Sequence, residues 1–384
     1  MSLAATAPAQ YTNGIYAEFN TSMGSYTCRL DHVVAPQAVA NFIGLATGER
    51  AWLDLPTGLV KTNPFYNGTI FHRVIAGFMN QGGSRNGLGT DGPGYAFVDE
   101  FSPNVRHDGF GVLSMANSGP DSNGSQVFIT VAPTPWLDDV HTIFGRLYGG
   151  SNVVYAINNV ATGANNRPLT NVVIESVVIR RIGSEAQNFD IHSQGLPVVR
   201  GLSAKISVAN TNVTLSFSNQ FHADTRLYTS TNLNQWSAIT LGIETALSLT
   251  NQAFRTVAAA KEFFRLTQIQ YASSTFAPKN WFGRTLALTF TNGASGVVSI
   301  QFNSSGGGDF NYNGSPGTVT SYDWTQLPYN GRIWPIIYSA IVPPMTLALN
   351  FPTATAGGFT GTVYPNYPFT IGAYAVSGSF TNSP

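Results

Sequence analysis

A single arginine lies within an apolar and aromatic stretch in the first half of the chain. Five apolar residues surround Arg73 in the sequence: Phe71, Val74, Ile75, Phe78 and Met79. A guanidinium is always charged and presents its donors in a fixed plane, so it can stabilise charge that develops on a bound substrate. A downstream block adds apolar side chains with polar groups between them: Gln126, Phe128, Trp136, Leu137 and His141. Together the two blocks predict a pocket that holds an apolar group and offers a few fixed hydrogen bonds.

Spacing alone leaves a plainer interpretation open for each of these residues. An arginine in an aromatic strand is more often a paired or snorkelling surface residue. The apolar members of both blocks would otherwise be assigned to a core, and an isolated His141 is more often structural. His72 precedes Arg73 and points to the opposite face of a strand, so we expect it to pack in the interior.

Other kinds of chemistry find little support in the sequence. The six histidines show neither HxxxH nor HExxH spacing, and one cysteine, Cys28, cannot build a thiolate site or an intrachain disulfide. The segment GLGTDG at 87–92 has the form GxGxxG, but Pro93 and Gly94 follow it and no helix pattern appears. We interpret this segment as a flexible loop beside the groove. The sequence therefore predicts neither a metal nor another cofactor.

Composition narrows the choice of partners and of compartment. Only 10% of the 384 residues are charged and the net charge is zero, so nucleic acid and anionic membranes are poor partners. No window is long and apolar enough for a membrane span. The opening MSLAATAPAQ lacks the basic and apolar regions of a signal peptide. Scarce lysine with abundant Asn, Thr and Ser favours an exported bacterial protein, which would be periplasmic, at the cell surface or secreted.

The first 182 residues read as a mainly β unit with two helices. The alternating segment 14–30 predicts a hairpin with its turn at residues 22–24. A helix is predicted over 35–47, with Pro36 in its first turn and Gly48 as its stop, and a second helix is predicted with Ser151 as its cap. Further strands are predicted at 70–74, 111–116, 126–131 and 142–147, followed by a closing strand that ends near 182. This pattern favours a closed or nearly closed barrel whose ends are capped by the helices.

The remaining residues divide into a connector and two further β units. Residues 183–200 show no period and contain Gly195 and Pro197, which is typical of a boundary or an ordered connector. A small β domain is predicted over 201–270. A C-terminal β-meander, forming a barrel or a sandwich, is predicted over 275–384.

Three separated motifs carry a resemblance to a known family. They are FHRVIAGFMNQGG, SMANSGPDSNGSQVFIT and WLDDVHTIFG, and the helix segment APQAVANFIGLATG precedes them. In order and spacing these motifs resemble the cyclophilins, a family of peptidyl-prolyl cis-trans isomerases, over residues 11–182. The short loop between Gly83 and Phe97 is similar to that of bacterial members. The resemblance implies an eight-stranded antiparallel barrel closed by two helices, with a peptide groove on its outer face.

The resemblance also implies a role for each matching residue. The catalytic group falls on Arg73, Phe78, Gln81, Phe128 and His141. The substrate-binding group falls on Met79, Ala116, Asn117, Gln126, Trp136 and Leu137. Trp136 matches the tryptophan of members that bind cyclosporin, so cyclosporin joins proline-containing polypeptides among the implied partners.

Physical chemistry gives these residues a mechanism without a nucleophile or a metal. Rotation about an amide costs about 18–20 kcal/mol because C–N resonance is lost, and prolyl bonds isomerise in tens of seconds or more. A donor that holds the substrate carbonyl, or bonds the proline nitrogen as it pyramidalises, is strongest in the twisted state. Removing about 5 to 6 kcal/mol of the barrier gives a rate increase on the order of 10⁴-fold.

Two other functions remain open on the sequence. The first is a binding module that recognises proline-containing segments without turnover, although the intact Arg73, Gln81 and Phe128 argue against it. The second is a surface glycan- or protein-binding protein that acts through residues 201–384, with the isomerase as a passenger. Trp281, Trp324 and Trp334 could form its binding face, but aromatic residues in a meander more often fill the core. With an active isomerase, the two C-terminal domains are expected to serve targeting or client capture.

Overall fold

The structure is a computed structural model that divides into two compact units, Met1–Arg200 and Gly201–Pro384. It describes residues 11–119 and 121–209 without a further gap. Beyond these it describes residues 212–218, 223–244, 250–256, 262–271, 285–292, 296–302, 308–312, 315–326, 330–338, 345–350, 356–363 and 374–383. Each unit is described by itself.

The first unit contains eleven strands and three α-helices among its described residues. Its early elements are β1 (Gly14–Thr21), β2 (Gly24–Leu30), α1 (Pro36–Thr47), β3 (Trp52–Asp54), β4 (Leu59–Lys61), β5 (Thr69–Ile70) and β6 (Arg73–Ile75). Its later elements are β7 (Met79–Gly82), β8 (Val112–Met115), β9 (Val127–Thr130), β10 (Ile143–Gly149), α2 (Ser151–Asn158), β11 (Val173–Ile182) and α3 (Ser184–Asn188). Strands β3 and β4 pair in a separate hairpin.

The main sheet of this unit curls back on itself. Its strand order is β5-β11-β1-β2-β10-β8-β9-β7-β6, and its pairs are antiparallel. The two edge strands come from one segment, 69–75, which pairs with β11 through β5 and with β7 through β6. When β5 and β6 are counted as one strand, the sheet has eight strands. The eight-stranded antiparallel barrel implied by the resemblance is therefore confirmed.

Both predicted helices are present, with one correction at a cap. Helix α1 begins at Pro36, and the Glu100 carboxylate accepts the backbone N–H groups of Gln37 and Ala38 at 3.0 and 2.9 Å. The prediction that Ser151 caps α2 is wrong, because Gly150 occupies the cap with φ 83° and Ser151 is the first helical residue. A side chain at Gly150 would contact the backbone of Tyr26, so only glycine fits this turn.

The barrel core is aromatic. Phe42 of α1 packs against Phe19, Tyr66 and Phe144 with ring centroids between 4.9 and 5.6 Å apart. Cys28 of β2 is fully buried, and burial raises the pKa of its thiol. These contacts hold α1 against the inner face of the sheet. The outer face of β6, β7 and β9 is not covered by this helix.

The segment after β11 is ordered and packs on the barrel. It contains the short helix α3, although the sequence shows no period there. The buried Arg50 guanidinium donates to the carbonyl oxygens of Ile191 and Pro197 at 3.5 and 2.5 Å. Arg181 donates to the carbonyl of Phe189 at 2.7 Å. The first compact unit therefore extends to Arg200.

The second unit is built from strands. Strand β12 (Val198–Leu202) crosses the boundary at Arg200. It is followed by β13 (Lys205–Ala209), β14 (Asn212–Ser218), β15 (Ala223–Ser230), β16 (Ser237–Glu244), β17 (Thr250–Thr256) and β18 (Phe263–Gln270). They form a sheet in the order β12-β18-β15-β16 and another in the order β13-β14-β17. Val213, Leu215, Phe217, Leu227 and Leu266 form a small core.

A closed antiparallel barrel follows in strict chain order, which confirms the predicted C-terminal meander. Its strands are β19 (Thr285–Asn292), β20 (Gly296–Phe302), β21 (Gly308–Tyr312), β22 (Ser315–Gln326), β23 (Asn330–Tyr338), β24 (Met345–Asn350), β25 (Ala356–Val363) and β26 (Tyr374–Ser383). Trp281 and the side chains of Trp324 and Trp334 lie outside the described part of the chain. Within that part, no helix is long and apolar enough to cross a membrane.

Candidate active site

Arg73 begins a chain of side-chain hydrogen bonds on the outer face of the barrel. Its Nη1 donates to Oε1 of Gln81 at 3.2 Å, and Gln81 Nε2 donates to Oε1 of Gln126 at 3.1 Å. Gln126 Nε2 donates to the carbonyl oxygens of Gly89 and Asp91 at 2.9 and 3.0 Å. Because carbonyl oxygens only accept, these two bonds fix which end of each amide faces the guanidinium.

Strand register places the cation and the apolar pocket in one row. Arg73 on β6 lies opposite Gln81 on β7, and Gln81 lies opposite Phe128 on β9. Residues directly opposite one another share a face of the sheet. Arg73 and Phe128 are therefore two strand spacings apart, about 10 Å. Arg73 is exposed and Phe128 is 4% exposed, so the row passes from solvent to a buried aromatic ring.

The residues predicted to line a pocket around Phe128 lie on three segments. Met79 is buried two positions before Gln81 on β7, so it shares the outward face. Phe78 is half-buried, and its ring lies 5.9 Å from that of Trp136. Trp136 and Leu137 belong to a single 3₁₀ turn, Pro135–Leu137, in which Trp136 remains 65% exposed. Leu137 is half-buried, so it is the less exposed residue of this turn.

Two imidazoles hold the Phe128 ring. His141 meets it edge to face, with centroids 5.4 Å apart and planes at 88°, and its Nδ1 donates to the carbonyl of Met115 at 3.0 Å. His107 lies parallel to Phe128, with centroids 5.9 Å apart and planes at 12°. Burial lowers the pKa of both histidines, which favours their neutral forms. Sequence reasoning missed His107, because it lies in an aperiodic loop and none of the three family motifs includes it.

Ala116 and Asn117 follow β8 and border the same face. The Ala116 N–H donates to the carbonyl of Gln126 at 2.9 Å. Asn117 Nδ2 donates to the carbonyl of Val140 at 2.7 Å, and its Oδ1 accepts the N–H of Gly119 at 3.2 Å. The Asn117 side chain thus binds its own loop, and a substrate contact by Asn117 falls to its backbone groups.

The glycine-rich segment 87–92 is tied to the barrel on both sides. Gln126 binds two of its carbonyls, and Arg167 Nη1 donates to the carbonyl of Gly87 at 2.9 Å. Gly89 has φ +75°, and a Cβ there would lie 2.8 Å from Nε2 of His72. His72 is buried beneath it, as predicted, and burial lowers its pKa. Side-chain hydrogen bonds from Gln126 and Arg167 therefore hold this segment against the barrel.

The described residues contain no group of three or more His, Cys, Asp and Glu side chains arranged to hold a metal ion. The arrangement supplies an exposed, hydrogen-bonded guanidinium beside an apolar pocket. Such a site can bind an apolar ring and stabilise charge on an adjacent polar group.

Comparison with known proteins finds a family match within the first unit. The family model described as "Cyclophilin type peptidyl-prolyl cis-trans isomerase/CLD" matches residues 16–179. Peptidyl-prolyl cis-trans isomerase B of Streptomyces anulatus is 51% identical over 168 residues, which cover 43% of this chain and 96% of that protein. Peptidyl-prolyl cis-trans isomerase A of Mycobacterium tuberculosis is 47% identical over 165 residues, covering 42% and 91%.

A solved structure is similar over the same share of the chain. It is a cyclophilin type peptidyl-prolyl cis-trans isomerase of Cryptosporidium parvum, with 31% identity and a TM-score of 0.39. The similarity covers 44% of this chain and 98% of that one. Residues 183–384 lie outside the family match.

Proposed function

This chain belongs to the cyclophilin-type peptidyl-prolyl cis-trans isomerases, and we propose that its Arg73 groove speeds rotation about X-Pro bonds in exported polypeptide clients. The observation that carries the proposal is the row formed by Arg73, Gln81 and Phe128 across three neighbouring strands. It sets a fixed cation beside a pocket whose apolar walls suit a proline ring. A bound proline and the arginine side chain together span the separation of about 10 Å.

The geometry supports electrostatic catalysis without proton transfer. The proline ring enters the pocket over Phe128, between Met79 and Leu137, while the carbonyl before it rotates. Arg73 then donates to the proline's carbonyl or to its nitrogen, whose lone pair is released when C–N resonance is lost. That bond is stronger in the twisted state than in either planar isomer, which is the requirement for catalysis.

The two glutamines prepare the cation for this step. Gln81 accepts from Arg73, and Gln126 fixes Gln81 by accepting from it while binding the loop. A guanidinium held in place before the substrate arrives needs little reorganisation in the transition state. His141 contributes the edge of its ring to the pocket, and its lowered pKa keeps it neutral, so it adds shape without charge.

The test of the isomerase proposal is a protease-coupled assay of the full chain with a proline-containing peptide. We expect Arg73→Ala to lose about 100-fold or more of kcat/KM, since removing one donor that stabilises developing charge has that effect in other enzymes. The matched control is Arg180→Ala, which removes an exposed arginine of β11 that pairs with Glu18 outside the row. Normal turnover by Arg73→Ala would contradict the assignment, whereas binding without turnover by the unaltered chain would favour a proline-binding module.

Composition supports the exported part of the proposal. Lysine occurs only at positions 61, 205, 261 and 279, and the net charge is zero. We propose the periplasm, the cell surface or the medium as the site of action. Fractionation of the source cells checks this, and a chain confined to the cytosol would contradict it.

The sheets and the closed barrel of residues 201–384 are proposed to serve targeting or client capture. Their support is that these residues lie outside the family match and form a compact unit of their own. A glycan array and a peptide array probed with the full chain test the assignment. A saturable glycan signal would favour a surface-binding role instead, and the Arg73→Ala chain shows which peptide signals depend on the groove.

Cyclosporin is proposed as a further ligand of the groove. Trp136 is 65% exposed at the rim, where a large apolar ligand can stack on it. Cyclosporin should inhibit the unaltered chain, and Trp136→Ala should weaken that inhibition at least about 10-fold, in line with loss of a buried aromatic contact. Equal inhibition of both chains would rule out this role for Trp136.

A further inference from the structure

His107 contacts two different walls of the proline pocket without reaching its interior. We propose that His107 is a positioning residue of the isomerase, which fixes both the Phe128 ring and the turn that carries Trp136 and Leu137. The inference rests on the proposed function of the groove. It adds a residue that neither the motifs nor the family match assigns to the site.

The ring of His107 is held at both of its nitrogens. Nδ1 lies 2.9 Å from Oδ1 of Asp138, and Nε2 lies 3.1 Å from Oγ of Ser114. Two such contacts fix the plane of an imidazole, since only two side-chain torsions orient it. The plane so fixed is the one that lies parallel to Phe128, at 12° and 5.9 Å. Phe128 therefore packs beside an imidazole whose orientation two hydrogen bonds fix.

The backbone of His107 holds the neighbouring turn at both ends. Its carbonyl accepts the N–H of Thr134 at 2.7 Å, and its N–H donates to Oδ1 of Asp138 at 2.7 Å. Thr134 and Asp138 flank the 3₁₀ turn Pro135–Leu137. The carboxylate of Asp138 thus receives both the ring N–H and the backbone N–H of one residue. Movement of His107 would shift Leu137 and Trp136 together with Phe128.

The ring contacts of His107 survive a change of its protonation state. An ionised carboxylate only accepts, so Nδ1 carries a hydrogen in either state. When His107 is neutral, the Ser114 hydroxyl donates to Nε2, and the carbonyl of Thr142 still accepts the N–H of Met115 at 2.9 Å. When His107 is charged, Nε2 donates to Ser114, whose hydroxyl then donates to Thr142 at 2.9 Å.

His107 acts only through its neighbours. Its exposed fraction is 0%, so it touches neither substrate nor solvent. His141, which meets the same Phe128 ring edge to face, is by contrast partly exposed. A change at His107 can therefore alter turnover only by moving Phe128 or the turn.

Two substitutions in the full chain separate the packing of the His107 ring beside Phe128 from the hydrogen bonds at its nitrogens. His107→Asn keeps an amide near Nδ1 for Asp138 and removes the ring, whereas His107→Phe keeps the ring and removes the contacts at both nitrogens. Each should lower kcat/KM about 10-fold or more, because displacement of a positioning group by about 1 Å has effects of this size. The control is His192→Asn, an exposed histidine outside the groove, which should leave kcat/KM unchanged.

The NMR signal of the His141 ring supplies a readout that general destabilisation does not move. The Phe128 ring lies 5.4 Å from it and contributes a ring current to the His141 chemical shift, and six histidines make the spectrum simple to assign. The spectra are recorded at about pH 8, where both histidines are neutral, so that the charge of His107, which adds to burial in lowering the pKa of His141, does not contribute. We expect a shifted His141 signal in both variants while their Tm stays above the assay temperature. Folded variants with kcat/KM within about twofold of the unaltered chain and an unmoved His141 signal would overturn the inference, since that factor is only about 0.4 kcal/mol.

A further variant keeps the inference testable when substitution at His107 prevents folding. Asp138→Asn preserves shape but replaces the carboxylate that takes both N–H groups. It should lower kcat/KM about 3- to 10-fold, in keeping with the loss of one charge-assisted hydrogen bond at a positioning group. Full activity of folded Asp138→Asn would refute the role of His107. An unaltered chain without isomerase activity would instead refute the proposed function itself.

Discussion

Replacing Gln81 by leucine should reduce catalysis while leaving the fold intact. Gln81 is partly exposed and accepts the Arg73 hydrogen bond at 3.2 Å, so the substitution frees the guanidinium without opening a large cavity. An arginine side chain carries about 2 kcal/mol of rotamer entropy. Losing its anchor therefore costs about 1 to 2 kcal/mol of preorganisation, because the orientation must be regained in the transition state. At about 1.36 kcal/mol per tenfold, kcat/KM should fall roughly 5- to 30-fold.

The assay is the protease-coupled peptide assay, run on the full chain beside a matched control. Gln187→Leu changes an exposed glutamine of α3 outside the row, and it should retain full activity. Gln81→Glu is a second comparison. It keeps an acceptor for Arg73 but places oxygen against Oε1 of Gln126, which must then turn and release its loop bonds. Full activity of Gln81→Leu in a folded chain would refute the idea that Gln81 prepares the cation.

Three further predictions concern the supports of the site. Gly89→Ala should lower both Tm and kcat/KM, because its Cβ would lie 2.8 Å from His72 Nε2 at a φ of +75°; left-handed backbone at a residue with a Cβ costs about 1–2 kcal/mol. Arg50→Met should destabilise the first unit by about 2–4 kcal/mol in thermal unfolding and expose the segment 183–197 to protease, because two buried carbonyls lose a charged donor. Calorimetry should show lower stability at about pH 5.5 than at about pH 7.5, because His72, His107 and His141 have lowered pKa values.

The sign of the pH effect follows from proton linkage. A histidine whose pKa is lowered by folding binds fewer protons in the folded state than in the unfolded state. Stability therefore falls as the pH drops below about 6.5, the unfolded value. Burial raises the pKa of Glu100, which works in the opposite direction but is one group against three. Stability that rises as the pH is lowered from about 7.5 to about 5.5 would contradict the burial of these histidines.

Matched substitutions control the other two predictions. Gly92→Ala should be tolerated, since its Cβ would meet its nearest neighbour, Ser125 Oγ, at 3.8 Å. Lys205→Met removes an exposed cation and should leave the stability of the first unit unchanged. Equal effects of Gly92→Ala and Gly89→Ala would contradict the clash with His72. Equal effects of Lys205→Met and Arg50→Met would contradict the role of Arg50 as a donor to buried carbonyls.

The sequence was sufficient to predict those parts of the fold in which strand alternation or a family motif is visible over a short stretch. The hairpin of β1 and β2 and the helix α1 follow from residues close together in sequence, whereas the row of Arg73, Gln81 and Phe128 joins residues of two separate motifs. The interior position of His72 also follows, because neighbouring residues of a strand face opposite sides. These features depend on period and on short motifs, which a sequence displays directly.

Contacts between distant residues account for what the sequence could not predict. Glu100 accepts the first N–H groups of α1 from more than 60 positions away, so no capping signal adjoins that helix. His107 acquires its role from Asp138 and Phe128, which meet it only in the folded barrel. Gly150, rather than Ser151, caps α2 because Tyr26 of β2 leaves no room for a Cβ at position 150. Such partners are set by topology.

The most direct test of the central claim separates binding from turnover at Arg73. Exchange NMR on a proline-containing peptide at equilibrium gives both its affinity for the full chain and its isomerisation rate on the chain. For Arg73→Ala we predict an affinity within about threefold of the unaltered chain and an exchange rate lower by about 100-fold or more, since the cation acts mainly in the twisted state. Unchanged exchange, or a loss of affinity that fully accounts for the loss of exchange, would contradict electrostatic catalysis by Arg73.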